Sequence, residues 1–163
     1  ALFDLLQAEH GCTGRHRLLL EIACVLHDIG VFVNARGHHK HALYLIRNTE
    51  FTGLSLSEIN LIALIARYHR KATPQMNHPD YAALTHEDRL VVCKLAALLR
   101  VADALDRVHD QSLGKLRFEL APEVVLCIPE RRVETSAEQV ALVEKGDLFE
   151  QIFGRRCLVR TPH

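Results

Sequence analysis

The sequence predicts a mainly α protein, a helical bundle with a small C-terminal α+β appendix, and three observations carry that expectation. The run Ile59 to Ala66 and the middle of the stretch 86–108 are apolar nearly all round, as helices buried on every side are. Helix-start and helix-stop signals recur through the first two thirds of the chain. After residue 112 the pattern changes to short apolar or alternating runs around Ala121-Pro122, the mark of a β-hairpin. The expected division is therefore a helical domain over 1–112 and an appendix over 113–163. With 163 residues and 48% apolar content, the chain is long enough for a sizeable core. A formal net charge of zero supplies no global field for nucleic acid or a membrane surface. No run is long enough to span a bilayer and no signal peptide is visible. The five cysteines have no paired spacing and read as reduced core residues of a cytoplasmic protein, not as zinc ligands.

The elements follow in order. Ala1 to about Glu9 reads as the end of an amphipathic helix, and this opening without methionine reads as a fragment of a longer protein. Gly11 and Gly14 mark a turn over 10–15. A second helix is expected from about His16 to Ile29, with Gly30 as its C-cap. Asn34 and Gly37 make 31–37 a loop, and a third helix runs from about His38 to Asn48. Ser55 with Glu58 forms a capping box that opens a fourth helix to about Arg70. Pro74 and Pro79 make 71–84 a connecting loop. Residues 85–88 cap a fifth helix, which runs to about Val108. Hairpin strands over 115–120 and 123–128, a helix from Ser136 to about Gln151 with Ser136 as its cap, and a last strand over 157–160 complete the chain.

The chemistry gathers at helix ends. His27 and Asp28 close an almost wholly apolar helix, and burying such an ionisable pair costs free energy unless a partner satisfies it. A divalent cation does so, since neutral imidazole and carboxylate both ligate one; a core histidine bonded to its neighbour is the plain alternative. Asp103 lies inside an apolar helix and needs a partner too, whether a metal ion or a salt bridge to Arg100 or Arg107. His38, His39 and His41 open the third helix, and all the histidines except His163 precede residue 110. Lys40 and the cluster Arg67, Arg70 and Lys71 supply cations able to stabilise charge on phosphoryl oxygens; a solvated helix terminus explains them equally well. Imidazoles, carboxylates and cations together are what metal-assisted hydrolysis of a phosphate ester or anhydride requires.

With its His27-Asp28 doublet and distant Asp103, the chain resembles the HD superfamily of metal-dependent phosphohydrolases. The resemblance implies an HD-domain-like helical bundle and makes His27, Asp28 and Asp103 the expected catalytic residues. His41 and His69 fall where variants of that superfamily carry extra histidines, which gives an expected metal set of His27, Asp28, His41, His69 and Asp103. Four motifs in order narrow the likeness: His27 to Gly30, His38 to Ile46, Ile65 to Lys71 and Leu99 to Asp106. They resemble the C-terminal region of the exopolyphosphatase / guanosine pentaphosphate phosphohydrolase (Ppx/GppA) family.

That likeness implies polyphosphate or a phosphorylated guanosine nucleotide as the ligand, with His38, Lys40, Arg67, Arg70 and Lys71 on its phosphates. It implies a divalent metal, whether Mn, Mg, Fe, Co or Zn. It also implies N-terminal actin-like domains, which in the family carry polyphosphate hydrolysis, and a homodimer. The superfamily's upstream histidine has no obvious counterpart, since His10 and His16 fall at the wrong end of the first helix pair. Two rivals stay open: a catalytically silent module for dimerisation and polyanion binding, and a stand-alone nucleotide phosphohydrolase.

Overall fold

The computed structural model describes residues 1–106 and 113–161. The expected end of the fifth helix at Val108, together with Arg107 and His109, lies outside the described residues. The fold is mainly α with a small three-stranded sheet. By packing, the chain forms two units: Cys12–Leu99, and Ala1–Gly11 with Arg100–His163. The sequence reading drew its line at 112/113 from composition; the packing line falls between Leu99 and Arg100. No helix among the described residues is long and apolar enough to cross a membrane.

The unit Cys12–Leu99 is built round three helices. Helix α3 (Gly14–Leu26) starts two residues earlier than expected because Thr13 caps it, with His16 as the reciprocal partner of the capping box. Helix α4 (His38–Arg47) starts after Gly37, which takes the left-handed φ of 78° that the turn needs. Helix α5 (Leu56–Arg67) opens on the expected Ser55–Glu58 capping box. The same Glu58 carboxylate receives Arg15 Nε at 2.5 Å, which ties α3 to the start of α5. Helix α5 packs against both α3 and α4. Its residues Leu61 to Ala66 are all buried, which is why the sequence shows no polar face there. The expected loop 71–84 contains a short helix, α6 (Pro79–Ala82), with Pro79 in the first turn, where proline's missing N–H costs nothing. Thr85 caps α7 (His86–Leu105), accepting from Asp88 N at 3.1 Å.

The other unit begins with two short helices, α1 (Leu2–Leu5) and α2 (Gln7–His10), in place of the single helix expected. His10 is buried there, its Nε2 2.8 Å from the Phe3 carbonyl, so it serves local structure. Strands β1 (Leu116–Leu120) and β2 (Val124–Pro129) form the expected antiparallel hairpin, and β3 (Arg156–Val159) joins β2 in parallel. The helix expected over 136–151 is two helices, α8 (Ser136–Lys145) and α9 (Asp147–Phe153), interrupted at Gly146. Ser136 is the first helical residue rather than the cap. The Glu134 carboxylate accepts from the Thr135 and Ser136 N–H groups instead, which satisfies the first free donors of α8.

The second difference from expectation matters most for the site. Helix α3 ends at Leu26, so His27 and Asp28 lie in the turn after it, and a 3-10 turn follows over Ile29–Phe32. Gly30 is therefore not a C-cap. It is the contact point with α4: a Cβ on Gly30 would stand 2.0 Å from the His38 carbonyl oxygen and 2.6 Å from Ala42 N. Backbone, not a flexible side chain, occupies that space. Gly30→Ala is accordingly expected to lower stability by about 3 kcal/mol, the upper range for forcing atoms into a packed interior, measured as a fall in the urea midpoint.

Candidate metal centre and its cationic cleft

The unit Cys12–Leu99 brings three imidazoles to one carboxylate. His38 Nε2 lies 3.2 Å from Asp28 Oδ1, and His69 Nε2 lies 3.7 Å from the same oxygen. His27 Nε2 is 3.3 Å from the other oxygen, Oδ2. The donor atoms of Asp28, His38 and His69 all fall within 4.8 Å of one another, a spacing that could hold a metal ion. His38 and His69 are buried, and Asp28 is half-buried.

One local device orients all three rings. Each Nδ1 faces the backbone carbonyl three residues earlier: His27 to Cys24 at 2.7 Å, His38 to Ala35 at 3.0 Å and His69 to Ala66 at 2.6 Å. A carbonyl oxygen only accepts, so each Nδ1 carries the proton and each neutral ring presents an Nε2 lone pair to Asp28. This is how metal-ligating histidines are commonly held. Each carbonyl lies in a helix end or the turn beside it, so local backbone geometry sets the ring direction. Asn34 and Gly37 shape the loop before α4 that places the Ala35 carbonyl, with Asn34 Oδ1 accepting from Arg36 N at 2.8 Å.

The electrostatics call for a cation. His38 Nε2 and His69 Nε2 are 3.2 Å apart, and with both Nδ1 atoms protonated this contact requires a proton or a metal ion to bind the facing lone pairs. Ligands on a first-row divalent ion with bonds of about 2.0–2.1 Å sit about 2.9–3.4 Å apart, which matches. When the rings are doubly protonated, a hydrogen bond from His27 Nε2 and the positive charge of His27, His69 and His38 hold the Asp28 carboxyl down at about 2 against the opposing effect of burial. Asp28 is therefore a carboxylate at neutral pH and ready to ligate.

A cleft of about 700 Å³ lies in the same unit, lined by Arg36, Lys40, Arg67 and Lys71 with His39, His41 and His78. Lys71 takes a left-handed φ of 63°, which bends the chain sharply just after His69. Burial first, and then the charges of Arg67, His38, Arg70 and Lys40, push His39 down to about 4, so its imidazole is neutral at pH 7.

The expected site residues thus divide. His27, Asp28 and His69 come together, joined by His38, which the sequence reading had placed on phosphate. His41, Lys40, Arg67 and Lys71 line the cleft, and Arg70 contributes charge to it. Asp103 lies in the other unit, where its carboxylate receives the Lys145 ammonium. The neighbouring Arg100 is 2% exposed and donates to the Lys145 carbonyl at 2.8 Å and to Asp147 at 2.7 Å. Arg36, His39 and His78 were not among the expected site residues. His39 lies inside a motif already quoted and Arg36 just before it, whereas His78 sits in a proline-bearing loop with no periodic signal.

Two outcomes follow. In metal-free protein, two-bond ¹H–¹⁵N spectra of the neutral rings should show His27, His38 and His69 as Nδ1–H tautomers, the minority form of free histidine. Lys145→Ala should cost about 1–3 kcal/mol, because it removes the ammonium that neutralises the buried Asp103 carboxylate; a denaturant titration reads the change.

Comparison with known proteins adds the family. A model of the Ppx/GppA phosphatase family, domain III, matches residues 1–145. A guanosine-5'-triphosphate,3'-diphosphate pyrophosphatase of Pseudoalteromonas translucida (strain TAC 125) is 40% identical over 52 residues, a stretch that makes up 32% of this chain and 10% of that protein. The match to this curated relative thus covers only a small part of its length. The family match spans nearly the whole described chain, including the histidine–aspartate cluster and the cationic cleft. The chain therefore belongs to the Ppx/GppA phosphatase family, as a domain III sequence.

Proposed function

We propose that residues 1–112 are an HD-type metal-dependent phosphohydrolase domain with 113–163 as its appendix. On this reading it works within an exopolyphosphatase-type cytoplasmic protein, on polyphosphate or guanosine penta- or tetraphosphate. The observation that carries the reading is the convergence of His27, His38 and His69 on Asp28. Asp28, His38 and His69 would hold a divalent ion, with His27 on the free edge of Asp28. A set rich in imidazole suits Mn, Fe, Co or Zn better than Mg, which favours oxygen. An ion bound there would polarise a phosphoryl oxygen and lower the pKa of a bound water. His41 and Asp103 stay in the proposal on the HD motif alone.

The cleft supports the phosphate part of the reading. Lys40, Arg67, Arg70 and Lys71 would orient the anion and offset its charge, Arg67 with a directional fork and the lysines as point charges. The same cleft favours one alternative, a binding module without turnover that holds the polyanion for N-terminal actin-like domains in a homodimer. Turnover separates the two: phosphate release from tripolyphosphate that depends on metal and is lost in Asp28→Ala marks an enzyme, and tight binding without release marks the module.

The deciding experiment for the metal centre is calorimetric titration of Mn²⁺ into chelator-stripped protein. Wild type should bind at one site. Asp28→Ala and His38→Ala should each weaken binding by about 100-fold or more, since loss of a direct ligand exceeds the 10–100-fold typical of its supporting shell. Asp103→Ala and His41→Ala, run in parallel, decide their membership. A wild-type protein that takes up neither Mn²⁺, Co²⁺ nor Zn²⁺ would overturn the metal reading.

A further inference from the structure

Among the described residues, the small sheet has one closed edge and one open one. At the β3 edge, Gln139 Oε1 of α8 accepts from Val159 N at 3.0 Å. Strand β1 forms the other edge. The hairpin closes on Ala121 N donating to the Val124 carbonyl at 2.8 Å, and at its far end Glu130 N donates to the Lys115 carbonyl at 3.0 Å. Antiparallel ladders alternate, so Arg117 and Glu119 bond to β2, while the N–H and C=O groups of Leu116, Phe118 and Leu120 point away from it. Helix α1 packs near β1, and among the described residues no hydrogen bond joins it to the strand or reaches those outward groups. A row of open donors and acceptors is a template for another strand.

The side chains of β1 decide which strand fits. Its sequence, Leu-Arg-Phe-Glu-Leu, reads the same from either end except that the two charges exchange sign. Antiparallel pairing with a second β1 about a two-fold axis at Phe118 sets Leu116 against Leu120 of the second copy and Phe118 against Phe118 of the second copy. These are the residues with open main-chain groups, so about six hydrogen bonds form. They share a face with the buried Val125 and Cys127 of β2, yet Leu116 and Phe118 are only half-buried and Leu120 is 43% exposed. A second strand extends that apolar row. On the opposite face Arg117 meets Glu119 of the second copy, twice, at positions where side chains come closest. Glu119 keeps its own Arg160, 3.2 Å away, when Arg117 turns outward. Sliding the register by two residues leaves strand residues unpaired and sets Arg117 against Arg117 (with Glu119 against Lys115, outside the strand) or Glu119 against Glu119. Sliding it by one turns the apolar row onto the charged face. Charges that guard an edge repel a like strand; here each strand carries its own complement.

We propose that β1 is a self-pairing edge, through which two copies of this chain join antiparallel, with Arg117 of each against Glu119 of the other, into one continuous sheet. This gives self-association a surface, a symmetry and a register, and rests on neither the metal nor the phosphate reading.

The test is sedimentation equilibrium of the full chain. A contact through one short strand is small, so association should be weak and reversible, with dimer present by about 1 mM. Arg117→Glu and Glu119→Arg each set like charges opposite one another, twice across the axis, and should each weaken the dimer by about tenfold or more. Mixed in equal amounts, the two variants should associate at least as tightly as wild type, because a strand with two carboxylates then faces one with two guanidiniums. Recovery on mixing also shows that both are folded. Leu120→Pro removes an outward N–H and no bond to β2, so it should abolish association in a chain that still melts cooperatively. Hydrogen exchange locates the contact: the amides of Leu116, Phe118 and Leu120 should slow as concentration rises, whereas those of Arg117 and Glu119 are protected throughout. A chain that stays monomeric over this range overturns the proposal. So does a dimer whose Phe118 amide exchanges freely, or one that both charge reversals leave intact. Folded variants that fail to associate on mixing overturn the register.

Discussion

The candidate centre depends on one close approach of backbone to backbone. Gly30 lies against the first turns of α4, at a distance that leaves no room for a side chain. That contact sets how far the turn carrying His27 and Asp28 stands from the helix that begins with His38. A side chain at residue 30 would meet the backbone of α4 at His38 and Ala42, the part of that helix that carries His38 to Asp28. A ligand set assembled from three separate segments needs such a fixed reference, because metal ligation tolerates displacements of only a few tenths of an ångström. The packing of α5 between α3 and α4 supplies the remaining stiffness, with Leu61 to Ala66 wholly buried.

Given that spacing, ring orientation comes at little extra cost. Three histidines reach back three residues to a carbonyl. For His27 and His69 that carbonyl lies in the last turn of a helix, and for His38 in the loop before α4, so in each case a local backbone acceptor locks the ring. The outcome is a set of Nε2 atoms preorganised around the Asp28 carboxylate. Facing lone pairs of this kind are costly unless a proton or a cation lies between them.

The cationic cleft of the same unit has a different physical character. Its charges are mostly borne by flexible side chains, which give attraction without direction. The rigid part is Tyr68 in the core, with His78 Nδ1 2.9 Å from its hydroxyl and the Arg67 guanidinium 5.8 Å from its ring centroid. His39 adds no charge at neutral pH, because burial and its cationic neighbours keep it unprotonated. The cleft is thus less cationic than its histidine content suggests, and its attraction for an anion comes from the guanidinium and ammonium groups.

The sequence by itself determined the helical class, the hairpin after residue 112, the caps at Ser55 and Thr85, and the family through four ordered motifs. These are local or pattern-borne properties: periodicity, turn chemistry and the identity of adjacent residues are all present in a linear chain. It also put His27, Asp28 and His69 into one expected ligand set, together with His41 and Asp103. Three matters were decided only by tertiary structure. His38 rather than His41 meets Asp28, because the angle at which α4 leaves Gly37 selects which of two histidines on nearly one face turns inward. Gly30 leaves space for a neighbouring helix rather than stopping its own, since only a second element reveals a close approach. Asp103 meets Lys145, forty-two residues further along the chain, and His78 meets Tyr68 through a loop without periodicity. Pairings of this kind depend on where chain segments return in space, and no spacing in the sequence encodes that.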